Sequence, residues 1–184
     1  LDAEAKQAGI IILNELGLDP GIDHMSAMRI IHQVQQQGGE IVSFQSYCGG
    51  LPAMQHNNNP FGYKFSWSPR GVVMAGRNSG QYLYNGKVIF IPSKDLFKNY
   101  EIIDIDGVGA FEAYTNRNAL PYRELYGLND AQTVFRGTLR NIGWCATMKK
   151  ASELGLFDDT PREDLKKLTY RDMTMKLISA QTSA

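Results

Sequence analysis

Tyr47-Cys-Gly-Gly-Leu-Pro-Ala-Met-Gln-His-Asn-Asn-Asn-Pro-Phe-Gly-Tyr-Lys-Phe-Ser-Trp-Ser-Pro-Arg-Gly71 lies between a strand pattern over residues 40–47 and a helix pattern over 69–78. Loops this long in compact domains are usually functional or disordered. Phe61, Tyr63, Phe65 and Trp67 alternate through its second half, and disordered segments are poor in aromatics. The stretch therefore reads as a fixed loop. Glycines give its backbone room, asparagines satisfy it locally, and an aromatic-polar edge faces outward. The plainer reading is a solvated surface loop packed by its own aromatics.

Working back from the loop, alternation over 41–48 places Val42 and Phe44 on a core face. Upstream, Gly9-Ile10-Ile11-Ile12-Leu13 is apolar on both strand faces, the mark of a strand buried in a parallel sheet. Asp19 then reads as an N-cap and Pro20 as a first helical residue. Asp23 falls in the first turn, and Met25, Met28 and Ile31 follow at helical spacing. Asp19 thus has two readings, a simple cap or a binding group. A carboxylate among helix N-terminal amides suits an ammonium or amine better than a phosphate. His24 and His56 stand at no standard metal-ligand spacing from Asp19 and Asp23. No metal is expected, and His24 reads as a helix residue hydrogen-bonded to its surroundings.

Working forward, Ser68 and Pro69 form a cap and first turn. Asn85-Gly86 between two apolar runs predicts a hairpin. Strands are predicted over 101–106, 110–114 and 132–140, with a short helix over 121–126. Residues 141–154 turn helical. Thr160-Pro-Arg-Glu163 and Thr169-Tyr-Arg-Asp172 read as capping boxes. On the last predicted strand Arg136, Thr138 and Arg140 share a face. With Arg117 they suggest a clamp for carboxylate or phosphate, since guanidinium forks bind such groups bidentately. A solvated charged strand face is the alternative. Cys145 falls in a helix core, and Cys48 marks the strand–loop junction.

The totals set bounds. The chain has 184 residues with 19 basic and 19 acidic side chains, so no electrostatic footprint for nucleic acid or an anionic membrane appears. No apolar run approaches the roughly 20 residues needed to span a bilayer. Two cysteines make no disulfide framework, and a reduced, cytoplasmic setting is the simplest reading. The chain starts at Leu1, and the strand over 9–13 lacks upstream partners. Both features suggest a piece of a longer protein.

Taken together, Gly17-Leu-Asp-Pro-Gly-Ile-Asp-His24, Ser46-Tyr-Cys-Gly-Gly-Leu-Pro-Ala53, Asn59-Pro60, Gly62-Tyr-Lys-Phe-Ser-Trp-Ser-Pro69, Tyr114-Thr-Asn-Arg117 and Arg136-Gly-Thr-Leu-Arg140 resemble the saccharopine dehydrogenase family, in its NADP-dependent, glutamate-forming branch. The resemblance covers residues 9–157 and weakens past Asp158. One local departure, Met54-Gln55 in place of Pro-Glu, bears on loop shape.

The resemblance implies a fold of the α/β (α+β) class. It is a mixed sheet with flanking helices, like the C-terminal domain of glyceraldehyde-3-phosphate dehydrogenase, followed by the start of a small helical subdomain. Residues 1–20 would end a truncated Rossmann domain, 21–140 form the catalytic and dimerisation domain, and 141–184 begin the helical part. It implies NADP as cofactor, its main binding domain lying outside this chain, with Leu18, Asp19, Pro20 and Ser68 at the nicotinamide end. Asp19, Trp67, Arg117, Thr138, Leu139 and Arg140 would contact saccharopine, and Asp19 and Cys48 are the catalytic candidates. Partners implied are saccharopine, glutamate, 2-aminoadipate 6-semialdehyde and a second copy of the chain. Two alternatives stand beside this: a non-catalytic substrate-binding and dimerisation module, and a related amino-acid or semialdehyde dehydrogenase.

Overall fold

The computed structural model describes residues 1–182. Its elements are α1 (Asp2–Ala8), α2 (Ile22–Gln36), β1 (Ser43–Cys48), α3 (Pro69–Ala75), β2 (Gly80–Tyr84), β3 (Lys87–Ile91), β4 (Tyr100–Ile105), β5 (Gly109–Thr115), α4 (Pro121–Leu125), β6 (Thr133–Asn141), α5 (Trp144–Glu153) and α6 (Tyr170–Thr182). Short 3-10 turns occupy Met54–His56, Ser93–Lys98 and Glu163–Lys167.

The six strands form one mixed sheet ordered β3-β2-β6-β5-β4, with β1 parallel to β6 and the other pairs antiparallel. The β2–β3 turn is the predicted hairpin. Asn85 and Gly86 both have positive φ, 48° and 74°, as a type I′ turn requires. β6 is the centre. It pairs Ser46 with Arg136 and Cys48 with Thr138 on one side, and Glu112 with Arg140 and Tyr114 with Thr138 on another.

Helices cover one face of the sheet at two places. α2 brings Ala27 and Ile31 onto Leu83 and Val134, with Tyr126, Leu128 and Ala131 closing this cluster. At the other end, Tyr63, Val72, Leu96, Phe97, Tyr114, Trp144, Cys145 and Phe157 form a second cluster. Strand alternation puts Val134, Arg136, Thr138 and Arg140 on this covered face. Arg136 and Arg140 sit between the two apolar clusters. The opposite face carries Tyr47, Tyr82 and Phe135, whose rings pack edge-on or tilted at 4.9–5.6 Å. It holds an open hollow of about 460 Å³ bordered by Gln45, Tyr82, Tyr100, Glu101 and Phe135. A smaller hollow, about 300 Å³, lies between α1 and residues 10–14 and contains none of the candidate residues.

The loop over 47–71 is fixed as expected. Asn59 Nδ2 donates to Tyr63 O, Phe61 N to Asn59 Oδ1, and Asn141 Nδ2 to Gly62 O. Ser68 caps α3 by accepting from Gly71 N at 3.0 Å. The second capping box also forms, with Thr169 Oγ1 accepting from Asp172 N and Asp172 Oδ2 from Thr169 N.

Four expectations differ. Residues 10–13 form no strand, and Ile11 is 87% exposed; a strand needs a hydrogen-bonding neighbour, and none of the described residues supplies one. α2 starts at Ile22 with Gly21 at the cap, so Asp19 does not cap it, and Met25 is exposed. Phe44 packs on the α2 cluster as expected, but Val42 is exposed and Ile41 packs there in its place, because β1 begins only at Ser43 and the strand alternation does not extend back to Val42. Thr160 opens no helix: its N and Oγ1 both donate to Asp158 Oδ1.

Candidate active site

Residues 17–21 fold into a closed turn. Gly17 N donates to Pro20 O at 3.0 Å and Ile22 N to Gly17 O at 2.9 Å, and the Asp19–Pro20 peptide is cis. Gly21 has φ 150°, and a Cβ there would lie 2.0 Å from Gly17 O, so only glycine fits. The turn throws Asp19 across to β6. Arg136 Nη2 donates to Asp19 Oδ1 at 2.8 Å and to Asp23 Oδ2 at 2.5 Å. Asp23 Oδ1 also accepts from Gly21 N at 2.7 Å. Arg136 is only 7% exposed, and its guanidinium lies 4.3 Å from the centre of the Tyr122 ring. This corrects the expected clamp, because Arg136 is already engaged by two internal carboxylates.

Arg140 is the contrasting case. It is 8% exposed. Its guanidinium lies over the Tyr63 ring at 4.9 Å and the Trp144 ring at 5.3 Å. Nη1 donates to Leu139 O at 2.9 Å, while Nε has no hydrogen-bond partner. No carboxylate pairs with it among the described residues. Glu112, directly opposite in the ladder, spends both oxygens on the Gly143 and Cys145 amides at the start of α5. A buried guanidinium with no direct carboxylate partner is costly to hold.

Cys48 and Thr138 lie between these two arginines on the same face. Burial, and next the facing Asp19 carboxylate, push the Cys48 thiol above its ordinary range, against an opposing pull from Arg136. The thiolate is therefore disfavoured, and Cys48 stands beside Asp19 as a thiol. Leu139 points to the opposite sheet face, beside Ala113, leaving only its backbone toward the arginines. Arg117 is exposed at φ 54°, with no side-chain partner among the described residues; its neighbour Asn116 N donates to Arg136 O, which keeps it beside β6. Trp67 is 59% exposed, four residues from the buried Tyr63 that rests on Arg140. Leu18 and Pro20 form an exposed apolar rim on either side of Asp19. Ser68 Oγ is occupied as the α3 cap.

The arrangement brings Asp19, Cys48, Thr138 and Arg140 to one sheet face. Leu18 and Pro20 leave an exposed apolar rim beside this group, and no glycine-rich phosphate turn occurs in the sequence. His24 is held as a hydrogen-bonded helix residue, with Nδ1 2.5 Å from Tyr126 Oη and Nε2 2.6 Å from Glu15 Oε2. Among the described residues no three His, Cys, Asp or Glu side chains gather as a metal site. The sequence reading missed Asp23 and the aromatic platforms Tyr63, Tyr122 and Trp144. The four-residue spacing of Asp19 and Asp23 was the available signal for the first.

The family model for the saccharopine dehydrogenase C-terminal domain matches residues 17–183. The NADP(+), L-glutamate-forming saccharopine dehydrogenase of Schizosaccharomyces pombe is 43% identical over 188 residues, covering 100% of this chain and 42% of that protein. The alpha-aminoadipic semialdehyde synthase of Arabidopsis thaliana is 42% identical, covering 97% of this chain and 17% of that protein. The solved apo structure of the L-Glu-forming saccharopine dehydrogenase of Saccharomyces cerevisiae superimposes with a TM-score of 0.82 at 40% identity. It covers 96% of this chain and 42% of that one. The chain thus spans about two fifths of the length of these fungal relatives. With a fold, a central β6 and a family match that agree, this chain belongs to the saccharopine dehydrogenase C-terminal domain family.

Proposed function

We propose that this chain is the substrate-binding and catalytic part of an NADP-dependent oxidoreductase of lysine metabolism. The reaction interconverts saccharopine with L-glutamate and 2-aminoadipate 6-semialdehyde. The observation that carries this reading is Arg140, a buried guanidinium with aromatic rings beneath it and no carboxylate paired with it among the described residues. Saccharopine is glutamate and lysine joined through one secondary amine, so it brings three carboxylates and two basic nitrogens, the bridging secondary amine and the α-amino group of the lysine part.

In this reading Arg140 and Arg117 hold carboxylates, Thr138 and the Leu139 backbone line the same strand, and Trp67 covers the substrate. Asp19 faces the amine, and Cys48 stays a neutral thiol beside it. Leu18, Asp19, Pro20 and Ser68 meet the nicotinamide end of NADP. The bound cofactor supplies a hydride acceptor. Loss of hydride from the lysine-side methylene beside the secondary amine, and of the nitrogen's proton, leaves an imine. Water adds to that carbon, the carbon–nitrogen bond breaks, and glutamate and the semialdehyde separate. Asp19 steadies the cationic nitrogen through these steps.

Residues 21–140 act as the catalytic and dimerisation unit and 141–184 begin the helical part, with α5 and Phe157 packed back on the sheet. A second copy docks on the open sheet face, where Tyr47, Tyr82 and Phe135 stand uncovered by helices. Both cysteines are free, which suits a reducing compartment, the cytoplasm. No helix of the described residues is long and apolar enough to cross a membrane.

Calorimetric titration with saccharopine tests the reading. Binding to the unsubstituted chain, weakened at least about tenfold by Arg140→Gln, is the expected result. Equal affinity in the two proteins contradicts it. A second reading is a module that binds substrate without turnover. NADPH added to this chain alone should then show no binding.

A further inference from the structure

We infer that Asp23 is the positioning residue that sets the charge of the Asp19 site, by sharing one guanidinium nitrogen and leaving a net negative charge for a cationic amine. The inference rests on the reading above that Asp19 faces the substrate's amine.

A single nitrogen, Arg136 Nη2, serves both carboxylates, Asp19 Oδ1 at 2.8 Å and Asp23 Oδ2 at 2.5 Å. All three side chains are largely withdrawn from solvent, at 9%, 19% and 11% exposure for Arg136, Asp19 and Asp23. Two carboxylates against one guanidinium leave one negative charge. Had Asp19 stood alone with Arg136, the pair would be neutral and would offer little to an ammonium or iminium group. The second carboxylate turns a closed ion pair into an anionic site while Arg136 still holds Asp19 in place. No lysine or second arginine pairs with either carboxylate among the described residues.

The groups facing the trio do not cancel that charge. Cys48 on β1 stays a protonated thiol. Tyr122, on α4, offers Arg136 its ring face, and Tyr126, just past α4, is a phenol pushed up to about 12 chiefly by burial. His24, on α2, is engaged on both ring nitrogens, by Tyr126 and by Glu15, and so directs neither of them at Asp19 or Asp23.

Asp23 has one competing role, as acceptor for Gly21 N at 2.7 Å. Two variants separate the roles because they move in opposite directions. Asp23→Asn keeps an acceptor oxygen near Gly21 and removes the charge. Asp23→Glu keeps the charge and displaces the acceptor by a methylene. We would titrate saccharopine into the unsubstituted chain and both variants, with urea unfolding curves as a control on folding. The inference predicts about tenfold weaker binding for Asp23→Asn and binding within about threefold of the parent for Asp23→Glu. The reverse order, equal losses, or no loss in either variant overturns it. Failure of the unsubstituted chain to bind saccharopine overturns the reading of the whole site as well. Intact parent binding with an unaffected Asp23→Asn overturns only the role of Asp23.

Discussion

Arg136 Nη2 donates to Asp19 Oδ1 at 2.8 Å, tying the turn over residues 17–21 to the central strand across 117 positions of sequence. This link fixes the candidate site and contributes to stability. Removing one partner of a buried ion pair leaves uncompensated charge, at about 3–5 kcal/mol. Arg136→Met should therefore lower the urea-unfolding free energy by about 3 kcal/mol. Adding Asp19→Asn and Asp23→Asn to that variant should restore most of the loss. A single variant as stable as the parent would show that the pairs hold nothing together.

Glu112 is a buried acid used structurally. Its two oxygens accept from Gly143 N at 2.8 Å and Cys145 N at 2.6 Å, satisfying amides at the start of α5. Glu112→Ala should cost about 1–3 kcal/mol in chemical unfolding. Glu112→Gln, which keeps one acceptor oxygen, should cost less. Equal stability of all three proteins would rule out the cap.

The Cys48 thiol is pushed up by burial and by the Asp19 carboxylate. A raised thiol pKa means less thiolate at a given pH, so alkylation should be slow. In a Cys145→Ser background, iodoacetamide at pH 8.5 should modify Cys48 more slowly than it modifies a free cysteine peptide. Asp19→Asn, by removing a nearby negative charge, should speed the reaction. A rate indifferent to Asp19 would separate the two groups.

Tyr126 should mark alkaline unfolding. Burial raises it from 10.0 to about 12, with Asp23, Tyr122 and Glu15 adding and Arg136 opposing. A group raised in the folded state stabilises fully below its unfolded value, and that stability is lost as pH climbs through the folded value. The unfolding free energy should thus fall between pH 10 and about 12, and Tyr126→Phe should make the fall shallower. Tyr47, Tyr82 and Tyr114 are raised as well, so some slope remains. An unchanged slope in Tyr126→Phe would contradict this.

Local chemistry was legible wherever it stayed local. Asn85-Gly86 made its hairpin, Ser68-Pro69 capped α3, and Thr169 with Asp172 closed a box. The alternation that grouped Arg136, Thr138 and Arg140 also held. What escaped were partners distant in sequence. Asp19 looked like a cap because Asp-Pro usually opens a helix; the Gly17–Gly21 closure moved the helix start to Ile22 and freed Asp19 for Arg136. Equivalent arginines four positions apart acquired opposite fates, because the 17–21 turn and α2 supply acids to one and the loop and α5 supply rings to the other. The apolar run over 10–13 misled for the same reason, since a strand pattern does not name its neighbour.

The most direct test is a crystal structure with saccharopine bound. We predict one carboxylate on the Arg140 guanidinium, a second at Arg117, and the secondary amine within hydrogen-bond reach of Asp19. Saccharopine lying elsewhere, with the Arg140 guanidinium still without a carboxylate over Tyr63 and Trp144, would contradict the assignment of this site.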